Sequence, residues 1–247
     1  MTQQTATVAP INQASMLQRH IGHLNRRANQ PVLSVKRKLW RRDDDHAAIK
    51  DQAFDTIRTA VLKRDVYTCR FCQFQASKYQ EVHHLDDDHA NNTGDNLITA
   101  CTLCHQVHHL GMCGVRNGGF IAAIPELTQT EINHIVRGIY VQDLIETQEV
   151  RDKNKSLLAL FELRGTDTLK NIYGTDLRDA LTWGQILSDL PDDLYEKRAE
   201  ILAPLRLVPT VEAFNEGQLD YYAANKTAAM KADTWKALCH QLLATLA

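Results

Sequence analysis

Residues 67–109 read YTCRFCQFQASKYQEVHHLDDDHANNTGDNLITACTLCHQVHH. Four of the six cysteines stand here as two Cys-x-x-Cys pairs, Cys69/Cys72 and Cys101/Cys104, with 28 residues between them. One such pair puts two thiolates on a single turn, and two pairs complete the tetrahedral shell that zinc prefers. A closed shell of four thiolates leaves no open position, so the spacing predicts a structural rather than a catalytic zinc. The competing reading, a redox dithiol, needs one pair only and a thioredoxin-like surrounding. Cys113 and Cys239 remain over and read as ordinary thiols, although Cys113 follows the second pair closely enough to approach the metal.

Upstream, Ile49, Ala53, Phe54, Ile57, Ala60 and Val61 recur at three- and four-residue spacings and predict a helix over 47–64. Asp43 to Asp45 supply its start signals, and 31–40 reads as a short strand or an extended arm. Within the stretch itself, 64–72 reads as a short strand closed by a knuckle and 81–85 as a strand. Next come a polar loop over 86–95 and a helix over 96–109. Downstream, 111–119 reads as a glycine-rich turn region and 120–124 as an apolar strand stopped by Pro125. Thr128 with Glu131 three residues on forms a capping box, opening a helix to about Gln148, with another near 154–163. Helical periodicity continues over 169–190 around Trp183 and over 194–202. Asp233 caps a last amphipathic helix bearing Trp235, Leu238, Leu242 and Leu246.

The formal net charge of −2 hides an asymmetry. Residues 1–42 carry eight Lys/Arg and no acid, whereas the remaining 205 carry 20 Lys/Arg against 30 Asp/Glu, a net −10. A basic arm on an acidic body suits a nucleic-acid or acidic partner, and equally a solvated tail. The Arg-rich start also mimics a mitochondrial presequence, which the motif-bearing region so close behind it argues against. No run of about 18 apolar residues predicts a membrane span, and paired cysteines without a secretory signal suggest a reducing compartment.

The order His83-His84, Asn96, His105, His109, set around both cysteine pairs, resembles the HNH (ββα-metal) nuclease motif. That resemblance implies two strands and a helix around one divalent cation (Mg²⁺, Mn²⁺, Ni²⁺ or Zn²⁺). His83 and His105 would be metal ligands, and His109, one helical turn on, would complete the set or touch a metal-bound phosphate. His84 would be the general base and Asn96 would fix the loop and orient that base. The other histidines, His108 and His134 among them, read as non-catalytic. The chain departs from the motif in its loop, LDDDHANNTGDN, which lacks a proline and paired glycines and places Asp86, Asp87 and Asp88 where a phosphate would arrive.

A closer resemblance lies in YTCRFCQFQASKY (67–79), Asn91-Asn92, the run from Asn96 to Cys101, Gly118-Gly119-Phe120, and the run from Ile124 to Gln129. These look like the IcmJ (DotN) family of type IVB (Dot/Icm) secretion and conjugation systems, over roughly residues 54–163. The family resemblance implies a cytoplasmic bacterial protein that binds zinc and associates with the coupling-protein ATPase at the inner-membrane apparatus. Some members have lost the catalytic histidines while keeping the cysteines; this chain keeps both sets. The expected fold is α+β: a zinc-stabilised HNH-like core, then a strand and a mainly helical C-terminal region. The expected division is 1–45 (basic, flexible arm), 46–165 (zinc-binding domain) and 166–247 (acidic, helical). Two functions fit: a metal-dependent DNA endonuclease of nicking type within a coupling complex, or a catalytically inactive adaptor for the ATPase. A zinc-ribbon DNA-binding module is a third, which an acidic body serves poorly.

Overall fold

The computed structural model describes residues 30–37, 47–88 and 91–230. Helix α1, Ala47–Arg64, falls where its apolar spacing predicts. Its last two turns place Val61 and Leu62 against Val82 and Leu97, with Phe54, Ile57 and Tyr67 around them. Val82 and Leu97 belong to a two-stranded antiparallel hairpin, β1 (Gln80–His84) and β2 (Leu97–Cys101), in register from Gln80↔Cys101 to His84↔Leu97. A short helix, α2 (Thr102–His105), follows at once.

The β2 residues were expected to be helical. Strand wins because Leu97, Thr99, Ala100 and Cys101 are all buried once β1 supplies the hydrogen-bonding partner, and β-branched Ile98 and Thr99 suit a pleated surface. The strand expected over 64–72 is likewise absent. Val66 and Tyr67 both adopt left-handed φ of 52°, and only Thr68 bridges to Gln75. A β-branched residue there is strained; the reversal that brings Cys69 and Cys72 back under β2 requires it.

Helix α3, Leu110–Val115, replaces the expected glycine-rich turn. Its glycines serve contact rather than turning. A Cβ at Gly114 would lie 2.3 Å from the Leu181 amide, and one on Gly184 would lie 2.8 Å from Gly111. The strand β3 (Gly119–Ala123) precedes Pro125 as expected. Helix α4 (Gln129–Ile145) opens on the predicted capping box, Thr128 with Glu131. Helix α5 spans Gln148–Leu163, and a π-helical turn leads into α6, Leu169–Tyr173.

Beyond lie α7 (Ala180–Asp189), which packs across α3, α8 (Asp192–Glu196) and α9 (Arg198–Ile201). Strand β4 (Leu205–Pro209), where no strand was read, pairs antiparallel with β3 from Gly119↔Pro209 to Ala123↔Leu205. Helix α10 (Gln218–Met230) closes the described chain. The architecture is α+β, mixed helices and strands with, among the described residues, two separate two-stranded sheets.

The largest apolar cluster joins Val107, Leu110, Ile121, Leu169, Trp183, Leu187, Leu205 and Leu207. It takes in Leu33 and Val35 from the stretch assigned to the basic arm. Residues 31–37 form no strand, and Ser34 bonds the main chain at Val107 and Leu110. The rest of that arm, the start signals at 43–45 and the helix expected after Asp233 lie outside the described residues. Among the described residues no helix is long and apolar enough to cross a membrane.

Candidate metal centres

Cys69 and Cys72 come from the knuckle, Cys101 from the end of β2 and Cys104 from α2. Their four Sγ atoms lie within 4.8 Å of one another, all buried. Cys72 Sγ and Cys101 Sγ are 3.6 Å apart. A tetrahedron with zinc–sulfur bonds of about 2.3 Å has edges of about 3.8 Å, so the cluster has the size and donor chemistry of a four-thiolate site. Cys113 stands apart: it is buried in the apolar core, where desolvation pushes its thiol up to about 12.

Helix α4 backs this cluster. Asn133 Nδ2 donates to Cys104 Sγ (3.3 Å), and Arg137 Nη2 donates to Cys101 Sγ (3.2 Å). His134 Nε2 donates to the Cys72 carbonyl (2.8 Å). Tyr222 of α10, wholly buried, packs on the cysteines with Phe74. Gln218, one turn earlier, reaches Thr102 Oγ1 (2.9 Å) and Tyr222 Oη (2.7 Å).

The second cluster adjoins the first at His105, the residue after Cys104. Ligand nitrogens of His83 (β1), His105 (end of α2) and His109 lie within 4.8 Å of one another. His105 Nε2 and His109 Nε2 are 3.1 Å apart. Two nitrogens bound to one ion at about 2.1 Å would stand about 3.0–3.4 Å apart for angles of 90–110°, so this trio also fits a divalent cation. Glu81, two residues before His83 and therefore on the same strand face, takes a hydrogen bond from His105 Nδ1 at 2.5 Å. A carboxylate only accepts, so this bond leaves the His105 Nε2 lone pair directed at the cluster.

Burial, reinforced by His108, His105 and His109, holds His83 far below the usual imidazole range. It is therefore neutral, the form that binds metal. His108 packs against His83 in a tilted arrangement with ring centres 4.2 Å apart, and burial lowers it to about 3. Phe71, inside the first Cys-x-x-Cys pair, packs against both rings, at 5.8 Å from His83 and 5.2 Å from His108. The two clusters thus share α2 and the knuckle.

His84 does not join the trio. It points to the other face of β1, 3% exposed, with its ring stacked on Phe54 at 5.6 Å. Its Nε2 donates to Asn92 Oδ1 (2.9 Å). Asn96 holds the loop: Nδ2 donates to Asp86 Oδ1 and to the Asn91 carbonyl, both at 2.8 Å, and Oδ1 accepts from the Asp86 amide. Asn92, rather than Asn96, makes the bond at His84 Nε2. Glu81, Asn92, Asn133 and Arg137 escaped the sequence reading. Glu81 was findable by the two-residue period before His83. Asn133 and Arg137 share a helix face, but nothing in sequence ties α4 to the cysteines.

Fold and site together define an α+β protein with two adjoining clusters of metal-ligating side chains. A curated relative, the type 4 apparatus protein DotN of Legionella pneumophila subsp. pneumophila (strain Philadelphia 1), is 30% identical over 177 residues, covering 71% of this chain and 81% of the relative. The chain belongs to the DotN family. No protein-family model matches it.

Proposed function

We propose that the chain is a component of a type IVB secretion or conjugation coupling complex with an HNH-type (ββα-metal) centre that nicks DNA using a bound divalent cation. Kinship with an apparatus protein supports the first part. The observation that carries the second is the convergence of His83, His105 and His109 at the end of a hairpin followed by a short helix. Cys69, Cys72, Cys101 and Cys104 hold a structural zinc, and the three histidines hold the second cation (Mg²⁺, Mn²⁺, Ni²⁺ or Zn²⁺). When bound, that cation polarises a phosphoryl oxygen and acidifies its water. The chain's own residues orient the site: Glu81 sets the tautomer of His105, Asn96 pins the loop from Asp86 to Asn91, and His84 is the base. The partners are the coupling-protein ATPase and DNA, met at the cytoplasmic side of the inner membrane.

One observation favours a second reading, a non-catalytic adaptor for the ATPase. His84 is buried with Nε2 engaged by Asn92, whereas a base must reach its proton within about 3 Å or through one water. Supercoiled plasmid incubated with zinc-loaded protein and each cation, beside His84→Ala and His109→Ala, separates the readings. Nicking that both variants lack supports the enzyme. Folded, zinc-loaded protein that fails to cut with any of the cations, yet is retained by the ATPase in pull-downs, supports the adaptor.

A further inference from the structure

Arg137 is 1% exposed, among the largest fully buried side chains of the described chain. Arginine is almost never fully buried unless paired, and its guanidinium does not lose its proton. Yet no carboxylate among the described residues pairs with it. Its polar contacts are Cys101 Sγ (3.2 Å from Nη2) and His134 Nδ1 (3.2 Å from Nη1), while Nε has no partner. The guanidinium carbon lies over the Phe74 ring, 3.8 Å from its centre, a cation–π contact.

Neutral thiols or disulfides would leave this charge buried and uncompensated, an arrangement strongly disfavoured in a low-dielectric interior. Four thiolates around zinc carry a net charge of −2, and Arg137 beside them halves it. We infer that Arg137 is the counter-charge of the four-cysteine site, which holds zinc in place by stabilising the bound thiolates. This inference rests on the zinc reading above. Asn133, one turn earlier on α4, donates to Cys104 and makes the second bond to sulfur from the same helix face. Helix α4 is thus an electrostatic lid on the cluster, and Phe74, two residues past Cys72, is its clamp.

The experiment uses the full chain, purified with zinc and compared as wild type, Arg137→Met and Arg137→Lys. Zinc content is measured by mass spectrometry, and release is followed with a colorimetric chelator. Removing a group that supports a metal ligand weakens binding by about 10- to 100-fold, so Arg137→Met should lose zinc faster by that factor. Arg137→Lys, which keeps the charge, should fall between the two. In the cobalt-loaded proteins the thiolate-to-metal charge-transfer band should move to longer wavelength in Arg137→Met, because its sulfur loses a charged hydrogen-bond donor. Wild-type release and an unmoved band in Arg137→Met overturn the inference while leaving the zinc site standing. Wild type that neither carries nor takes up one equivalent of zinc overturns the zinc reading and the counter-charge with it. Should Arg137→Met not fold, Arg137→Lys decides: zinc held to within about tenfold of wild type supports the charge role, and loss as fast as from Cys101→Ser overturns it.

Discussion

The Asp65 carboxylate accepts from Arg64 through both oxygens (3.0 Å each) and from the Thr99 amide at 2.9 Å. Arg64 in turn donates to the carbonyls of Gly94 and Leu97. Two adjacent side chains therefore tie the end of α1 to β2. Burial pushes the Asp65 carboxyl up, but Arg64 and the Thr99 amide outweigh it, so it sits below its ordinary range. Its contribution to stability is present above the unfolded value of about 3.9 and is lost as pH falls from there through the folded value. Asp65→Asn should be less stable by about 1–2 kcal/mol at pH 7. Urea melts should show the wild type losing that advantage below about pH 4; parallel acid limbs in the two proteins would contradict it. At the histidine trio, Glu81→Gln should weaken binding of Mn²⁺ or Ni²⁺ by about 10- to 100-fold in titration calorimetry without changing the zinc content of the cysteine site.

Between elements, the tightest junction is the crossing of α3 and α7, where Gly114 meets the Leu181 backbone and Gly184 meets Gly111. Intrinsic propensity favours almost any other residue in a helix interior, so these glycines are kept by contact. Gly114→Val should destabilise by about 1–3 kcal/mol through overpacking, read as a lowered Tm, and a rise in Tm would show that the helices part without penalty. The same junction explains why residues 111–119 mislead as sequence: glycine marks both turns and close approaches, and only the neighbour distinguishes them. Thr128 and Glu131 did not mislead, because a capping box is made from residues three apart and needs nothing from the rest of the chain.

Across the whole molecule, the cysteine cluster is the meeting point of the knuckle, β2, α2, α4 and α10. The β3–β4 sheet, α3 and α7 gather instead around Leu110, Ile121, Trp183 and Leu205. Stripping the proposed zinc with a strong chelator should therefore act unevenly. Hydrogen exchange should rise first over the knuckle, α2 and α10, while β3, β4 and α7 keep more of their protection. Unchanged protection throughout, with the metal confirmed absent, would rule out a structural role for the site.

By itself the sequence determined those features whose physics is local. The spacing of the two Cys-x-x-Cys pairs announced the four-thiol cluster, apolar periodicity placed α1 and the capping box opened α4, whereas the histidine trio came from the resemblance to the HNH motif. It did not determine whether 97–101 would be helix or strand, since a short apolar run suits either until β1 supplies hydrogen-bond partners. Nor did it reveal β4, whose partner β3 lies more than 80 residues earlier. The tertiary structure alone decided that Glu81 backs His105, that His84 is shut against Phe54, and that a buried arginine on α4 faces four sulfurs. Each of these depends on side chains far apart in the chain meeting where water is excluded, and no local pattern encodes that meeting.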